Sequence, residues 1–217
     1  MIDSLASVDS VVSDRDLLAF MRALSDDDAA TTTRLLSATP ALATARLVTG
    51  GTRTTGRDFF LTPTLMQLYS GDTALHVAAA AYDSVLAGKL VDAGADVHAR
   101  NRRGARPIHA AVTGGPGAGY WCPQRQADVV RYLISVGADP EATAAGGVTP
   151  LLRAVRNRCS EAVRVLIDAG VDPHRTNDNG SSALDLARLT TGRGGTGLPE
   201  AKIEQARIIH MLESTSK

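Results

Sequence analysis

The stretch that determines the fold is GDTALHVAAAA, residues 71–81, in which a polar turn precedes a run of small apolar residues. Related stretches open at Gly104, Gly147 and Gly180, and they read GARPIHAAV, GVTPLLRAV and GSSALDLAR. The first three segments also share an ending, which reads DAGADVHA, SVGADPEA or DAGVDPHR. The opening glycines are 33, 43 and 33 residues apart, so the middle spacing is the same period with a ten-residue insertion. Self-similarity at this period predicts a stack of similar supersecondary units.

These motifs resemble the ankyrin-repeat family over about residues 71–213, because that family combines a 33-residue period with a TPLHxA-like opening. The match is weaker where Leu152 and Asp185 replace the usual histidine. The whole pattern, including TTGRGG at 190–195, is similar to small bacterial single-domain ankyrin proteins of unassigned role. The resemblance implies an all-α solenoid of helix-turn-helix units joined by short finger loops, with about four clear repeats. It also implies recognition of proteins through the concave face of fingers and inner helices, and no catalysis.

The N-terminal region carries the signals of two helices but no repeat opening. Ser13 or Asp14 is placed to cap DRDLLAFMRAL, and the polar run 25–28 precedes AATTTRLLSA, which ends at Pro40. We interpret 13–46 as a degenerate capping repeat, since the exposed end of a stack must be polar. Two short terminal segments complete this division of the chain: a flexible N-terminus at 1–12 and a tail at 214–217.

Three segments interrupt the periodic pattern. Residues 47–70 are too long for an ordinary connection, and their aromatic and aliphatic residues predict packing over the first true repeat. Insertions at 113–126 and 190–200 each separate the two predicted helices of one repeat. Insertions in repeat proteins map to one face, which is often a binding face.

Composition limits the classes of function. The chain has 23 basic and 23 acidic residues, which argues against a globally basic nucleic-acid binder although a neutral sum can conceal a polarised surface. Apolar residues make up 44% and aromatic residues 4%, so we expect an aliphatic core. The sequence shows neither a secretory signal nor a long apolar run, which favours a cytoplasmic protein without a membrane span.

Charge is unevenly distributed along the chain. Residues 97–131 contain six Arg and one acidic residue, whereas residues 1–45 contain seven Asp and three Arg. The family geometry would place many of these arginines on the concave side, where Arg forks could hold an acidic partner or an anionic ligand. The alternative is a solvated basic face with internal salt bridges to the finger aspartates. The predicted partner-binding residues are Tyr69, Arg100, Arg102, Arg103, Tyr120, Trp121, Arg153, Arg156, Arg175 and Arg188.

Tyr120 and Trp121 belong to that set because they lie in a Gly/Pro-rich insertion, where exposed aromatics would suit a binding hot spot. The alternative for Trp121 is burial in a gap between the second and third repeats, as large aromatic residues usually are.

The remaining candidate features do not predict catalysis, a cofactor or a metal. His76 and His109 occupy repeat-turn positions, and no nucleophile motif accompanies them. The segment TTGRGGTG at 190–197 lacks the P-loop spacing. Cys122 and Cys159 could form a redox-sensitive pair or remain free thiols, and two cysteines are too few for a metal site.

The sequence therefore predicts a non-catalytic, monomeric adaptor that binds a protein partner of unknown identity, with an acidic partner favoured. Nucleic acid is disfavoured because lysines are scarce and aromatic residues are not interleaved with the arginines. Two alternatives stay open: an anionic or small-molecule site formed by the insertions, with or without catalysis, and structural self-association.

Overall fold

The computed structural model describes residues 12–189 and 197–215, so the predictions for 1–11 and most of the insertion at 190–200 lie outside the described residues. Within them no helix is long and apolar enough to cross a membrane. The described helices and strands, in chain order, are α1 (Asp14–Ser25), α2 (Ala29–Ala38), a 3₁₀ helix (Pro40–Ala43), β1 (Phe60–Leu61), β2 (Met66–Gln67), α3 (Ala74–Ala80), α4 (Ser84–Asp92), α5 (Pro107–Ala111), α6 (Pro123–Ser135), α7 (Pro150–Arg156), α8 (Ser160–Asp168), α9 (Ala183–Arg188) and α10 (Pro199–Ser214).

The helices form two layers. The inner layer runs α1, α3, α5, α7 and α9, each helix contacting the next, and the outer layer continues from α4 through α6 and α8 to α10. Each inner helix also contacts the outer helix that follows it in the chain. One continuous aliphatic core fills the space between the layers, with Leu75, Ile108 and Leu152 among its fully buried members. This is the helix-rich repeat solenoid that the 33-residue period predicts.

Local sequence sets the starts of the inner helices. The Thr149 hydroxyl accepts the backbone N–H of Leu152 at 3.2 Å, and the Ser182 hydroxyl accepts that of Asp185 at 3.3 Å. These caps satisfy amides that have no partner inside the helix. Proline occupies the first turn of α5 and α7, where its missing N–H costs nothing.

Two buried histidines join successive helix pairs. The His76 Nε2 lies 3.2 Å from the Ala105 carbonyl oxygen, and the His109 Nε2 lies 3.1 Å from that of Val148. In each histidine Nδ1 accepts a hydrogen bond from the backbone of its own turn, so the Nε2–H donates to the next segment. Both side chains therefore link neighbouring units.

The fingers that connect successive units are tied together by backbone hydrogen bonds. Arg102 N–H donates to the Ser70 carbonyl at 2.7 Å, and Ala145 N–H donates to the Arg103 carbonyl at 2.8 Å. The same pattern continues between Asp178 N–H and the Gly146 carbonyl at 3.0 Å. A ladder of main-chain bonds therefore fixes the spacing of the fingers along one edge of the stack.

The segment 47–70 is an enlarged finger. Leu47 and Asp72 are hydrogen-bonded at its base, and strands β1 and β2 form a small antiparallel hairpin within it. It also packs on α1, because the Asp14 carboxylate accepts the amides of Val48 and Thr49 at 2.8 and 2.7 Å. The sequence predicts packing over the first repeat, whereas the structure divides this segment between that repeat and the N-terminal helix.

Candidate partner-binding face

Backbone geometry fixes the finger at residues 101–104 as a tight turn. Gly104 N–H donates to the Asn101 carbonyl at 2.8 Å, and Gly104 has a φ of +70°, which favours glycine. The Asn101 side-chain oxygen accepts the amides of Arg103 and Ala105 at 2.9 and 3.1 Å. This turn therefore presents Arg102 and Arg103 at a defined position on the edge of the stack.

Both arginine side chains rest on one aromatic ring. The guanidinium carbons of Arg102 and Arg103 lie 5.0 and 5.3 Å from the ring centroid of Tyr69. Arg103 Nη1 also donates to the Tyr69 hydroxyl at 3.3 Å, and Arg102 Nη2 donates to the Gly51 carbonyl at 2.5 Å. Cation–π and hydrogen-bond contacts together restrict two side chains that would otherwise be mobile.

The third arginine comes from the inner helix α7. Arg153 Nη1 donates to the His109 carbonyl at 3.2 Å. Burial, together with the charges of Arg103 and Arg156, lowers the pKa of Arg153 to about 10. The side chain thus stays protonated at neutral pH in a position where like charges converge.

We define the arginine cluster as Arg102, Arg103, Arg153 and Arg156. Among residues 12–189 and 197–215, none of these four arginines forms an ion pair with a carboxylate. The nearby Asp72 carboxylate is buried and accepts the Asn101 side-chain amide at 2.9 Å and the Tyr69 amide at 2.7 Å. The cluster therefore concentrates positive charge without an ion pair, and the buried Asp72 carboxylate offsets that charge only in part.

Seven of the fifteen described arginines outside the cluster form local ion pairs. The ion pairs join Arg46 to Asp96, Arg106 to Asp139, Arg131 to Asp128, Arg164 to Glu161, Arg175 to Glu141, Arg188 to Glu213 and Arg207 to Glu204. Two of these are arginines that the sequence assigns to the binding face. The alternative of a salt-bridged basic surface thus holds for those residues and fails for the arginine cluster.

Arg188 requires a correction in its placement. One 33-residue period separates it from the apolar Val155, so it does not repeat the position of Arg153 or Arg156. Its guanidinium reaches the Glu213 carboxylate of α10 at 2.9 Å. Arg175 lies on the last finger and contacts Glu141 at 3.5 Å, whereas Arg100 is exposed on the same finger as Arg102.

The aromatic insertion residues also lie differently from the exposed hot spot that the sequence predicts. Tyr120 stacks on Tyr82 with ring centroids 5.6 Å apart, and both Tyr120 and Trp121 are partly buried against the core. The Trp121 indole N–H donates to the side chain of Gln126 at 3.0 Å, and Gln126 is itself fully buried. The insertion thus braces the stack, which is the alternative outcome for Trp121, and α6 begins within it at Pro123.

Asp72 and Asn101 are residues whose importance to the site the sequence analysis missed. Their side chains bond across two successive fingers and orient the turn that carries the arginines. The sequence does carry a signal for the role of Asn101, because an asparagine lies three residues before the glycine at both Gly104 and Gly180. The equivalent Asn177 likewise accepts the amides of Asn179 and Ser181.

Comparison with family models agrees with this architecture. Residues 70–102 match the model described as "Ankyrin repeat", and residues 133–187 match the one described as "Ankyrin repeats (many copies)". Two segments of the chain are thus similar to ankyrin repeats. The first matched segment spans α3, α4 and the finger that carries Arg102, and the second contains α7 with Arg153 and Arg156.

Two curated relatives are similar to part of the chain. Protein phosphatase 1 regulatory subunit 27 of Homo sapiens is 38% identical over 81 residues, which cover 37% of this chain and 46% of the relative. The mouse protein of the same name is 37% identical over a match of the same extent. The match thus spans less than half the length of either relative. Both are mammalian, so the comparisons do not support the resemblance to bacterial proteins of unassigned role.

The ankyrin stack shows no assembly of metal-binding side chains in its described part, since no three residues among His, Cys, Asp and Glu are grouped to hold an ion. Cys122 and Cys159 are free thiols, and the buried Cys159 donates its S–H to the Gly114 carbonyl at 3.2 Å. The redox pair suggested from the sequence is therefore not formed in this structure.

Proposed function

We propose that this protein is a non-catalytic interaction scaffold that binds a protein partner through its fingers and inner helices. The observation that carries this proposal is the arginine cluster, in which a finger and an inner helix bring four arginines together without an ion-pair partner among the described residues. A positively charged surface of restricted side chains favours recognition of a partner with complementary charge. The repeat matches and the similarity to a regulatory subunit support an interaction role rather than catalysis.

Several finer points belong to the same proposal. The helix pairs α3–α4, α5–α6, α7–α8 and α9–α10 are four ankyrin repeats, and α1–α2 caps their N-terminal end. The protein acts as a cytoplasmic monomer. Arg100 extends the binding surface beyond the arginine cluster. No observation in the described residues favours a small-molecule site at the insertions, since the aromatic residues of 113–126 pack on the core.

Affinity capture from a cell lysate tests the scaffold function. The baits are the wild-type chain, R103E/R156E, and R34E/R125E, and bound proteins are quantified by mass spectrometry. The control variant reverses the same number of charges at exposed arginines of α2 and α6. We expect at least one protein that wild type and the control capture and that R103E/R156E loses. An identical set on all three baits would contradict recognition through this face.

Protein phosphatase 1 is a specific candidate to include in that experiment. The relatives are named as regulatory subunits of this phosphatase, and the similarity covers 81 residues of this chain. Purified phosphatase 1 can be tested directly for binding by size-exclusion chromatography with light scattering. Absence of a complex would remove the phosphatase as the partner and leave the scaffold proposal to the lysate experiment.

A further inference from the structure

The arginine cluster holds like charges close together, and a bound anion would relieve their electrostatic repulsion. Burial lowers the pKa of Arg153, and the charges of Arg103 and Arg156 lower it further. Fixed ion pairs neutralise seven arginines elsewhere on the described surface, whereas the cluster forms none and the nearby Asp72 offsets its charge only in part. Such a cluster binds an anion more favourably than isolated surface arginines do.

The guanidinium groups of Arg103 and Arg153 are held in place, but most of their N–H donors are not used in hydrogen bonds within the described protein. Within the described part of the chain, Arg103 donates one side-chain hydrogen bond, to Tyr69, and Arg153 donates one, to the His109 carbonyl. A guanidinium carries five N–H donors, so most of the donors in this pair remain available for an acceptor. Because Tyr69 and His109 already restrict these side chains, binding an anion would cost little conformational entropy.

The arrangement favours a peptide over nucleic acid. Arg102 and Arg103 come from the finger that precedes Gly104, whereas Arg153 and Arg156 come from α7 in the unit that opens at Gly147, so the charges come from two separate segments of the surface. Both finger arginines lie against the ring of Tyr69, where a stacked base would have to displace them. A run of carboxylates on an extended peptide fits an extended row of guanidinium groups.

We infer that the arginine cluster is the subsite at which the scaffold takes the carboxylate side chains of an acidic peptide segment of its partner. This inference rests on the proposed function and specifies the chemistry of the partner. Carboxylate oxygens can accept paired N–H donors from Arg103 and Arg153 in the fork geometry that arginine favours. Arg156, which is exposed at the end of α7, supplies a further positive charge at the rim.

The test uses fluorescein-labelled peptides of one length and measures fluorescence anisotropy against the full chain. One peptide carries six consecutive glutamates, a second has glutamines in their place, and a third has phosphoserines. A labelled single-stranded oligothymidine forms the fourth probe. We expect the glutamate peptide to bind at low salt, the glutamine peptide not to bind, and R103Q/R156Q to weaken the glutamate affinity at least tenfold.

R34Q/R125Q is the matched control, because it removes two exposed arginines outside the cluster and should leave the glutamate affinity within twofold of wild type. Thermal unfolding of both variants verifies that they are folded. The inference is overturned if wild type does not bind the glutamate peptide, if both double variants weaken it equally, or if phosphopeptide or DNA binds at least tenfold more tightly. Any of these results alongside charge-dependent capture of a lysate protein would reject the carboxylate subsite and retain the scaffold.

Discussion

Acid should destabilise this protein well above the pH range in which surface carboxylates titrate, because of its buried inter-repeat histidines. Burial, and secondarily the charge of Arg153, lowers the pKa of His109 from 6.5 to about 3. Burial also lowers the pKa of His76. In the unfolded chain both imidazoles would take up a proton near pH 6.5, whereas in the folded protein they stay neutral.

The sign follows from the number of protons bound. Between the folded and unfolded pKa values of His109 the unfolded chain binds one more proton, so the free energy of unfolding falls as the pH falls. The stabilisation is complete above pH 6.5 and is lost progressively towards pH 3. At pH 4.5 the loss from His109 is two pH units at about 1.36 kcal/mol each, or about 2.7 kcal/mol. His76 adds a loss of the same sign.

The variant H109L separates this effect from general acid denaturation, since leucine naturally occupies the equivalent position at Leu152. At pH 7.5 the variant should be less stable by about 1–3 kcal/mol, because the Arg106 amide loses its acceptor and the Val148 carbonyl loses one donor while keeping the Ala144 amide. By pH 4.5 that deficit should shrink by about 2.7 kcal/mol, as the variant no longer carries the titrating group.

Urea unfolding followed by circular dichroism at several pH values between 7.5 and 4.5 measures this difference. H210Q is the control, because His210 is exposed on α10 and should leave the pH dependence of wild type unchanged. The carboxylates with lowered pKa, Asp14, Asp28 and Asp185, lose their stabilisation below their ordinary value of 3.8 and so lie outside this window. A constant difference between wild type and H109L over the whole range would refute the assignment of a neutral, buried His109.

Two further predictions concern glycine and cysteine. G137A should lower the free energy of unfolding by about 1–2 kcal/mol because φ of Gly137 is +95°. Steric overlap adds nothing there, since no atom lies within 4 Å of the added Cβ. G147A should lower the free energy of unfolding by about 1–3 kcal/mol more than G137A does, because its Cβ would lie 2.8 Å from the backbone nitrogen of Asp178. Equal losses for the two variants in urea unfolding would show that this contact is unimportant. Native protein should react with a thiol reagent at Cys122 and resist at Cys159, where burial raises the pKa to about 12; labelling of both cysteines at equal rates, read by mass spectrometry, would contradict the buried position.

The periodic part of the fold could be predicted because its determinants are local. A glycine that opens each turn, a capping residue such as Thr149 and an apolar run together specify where an inner helix begins. The same reasoning gave Ser13 or Asp14 as the N-cap of α1, and it is the Ser13 side chain that accepts the Asp16 amide, at 3.2 Å. The repeated pattern also placed His76 and His109 in the repeat turns.

Contacts between distant segments could not be predicted in the same way. The segment 47–70 is tied to α1 through Asp14, whose carboxylate oxygens accept the amides of Val48 and Thr49, 34 and 35 residues further along the chain. Arg158 is buried in the turn before α8 and donates to the Leu189 carbonyl at 2.5 Å, although arginine is a residue that sequence reasoning assigns to the surface. Such placements depend on which segments the stack brings together, which the order of residues does not reveal.

The candidate site shows why the number of charged residues is a weaker indicator than their pairing. Arg175 and Arg153 have the same chemistry in the sequence, yet Arg175 lies 3.5 Å from the carboxylate of Glu141, whereas Arg153 forms no ion pair and the charges of Arg103 and Arg156 act on it more strongly than that of Asp72. An exposed ion pair contributes little to stability and is already neutral to an approaching partner. An arginine that is held in place without an ion pair keeps its positive electrostatic field and its N–H donors available for a partner. The unpaired subset, rather than the basic composition of the region, is therefore the part of this surface that can discriminate between partners.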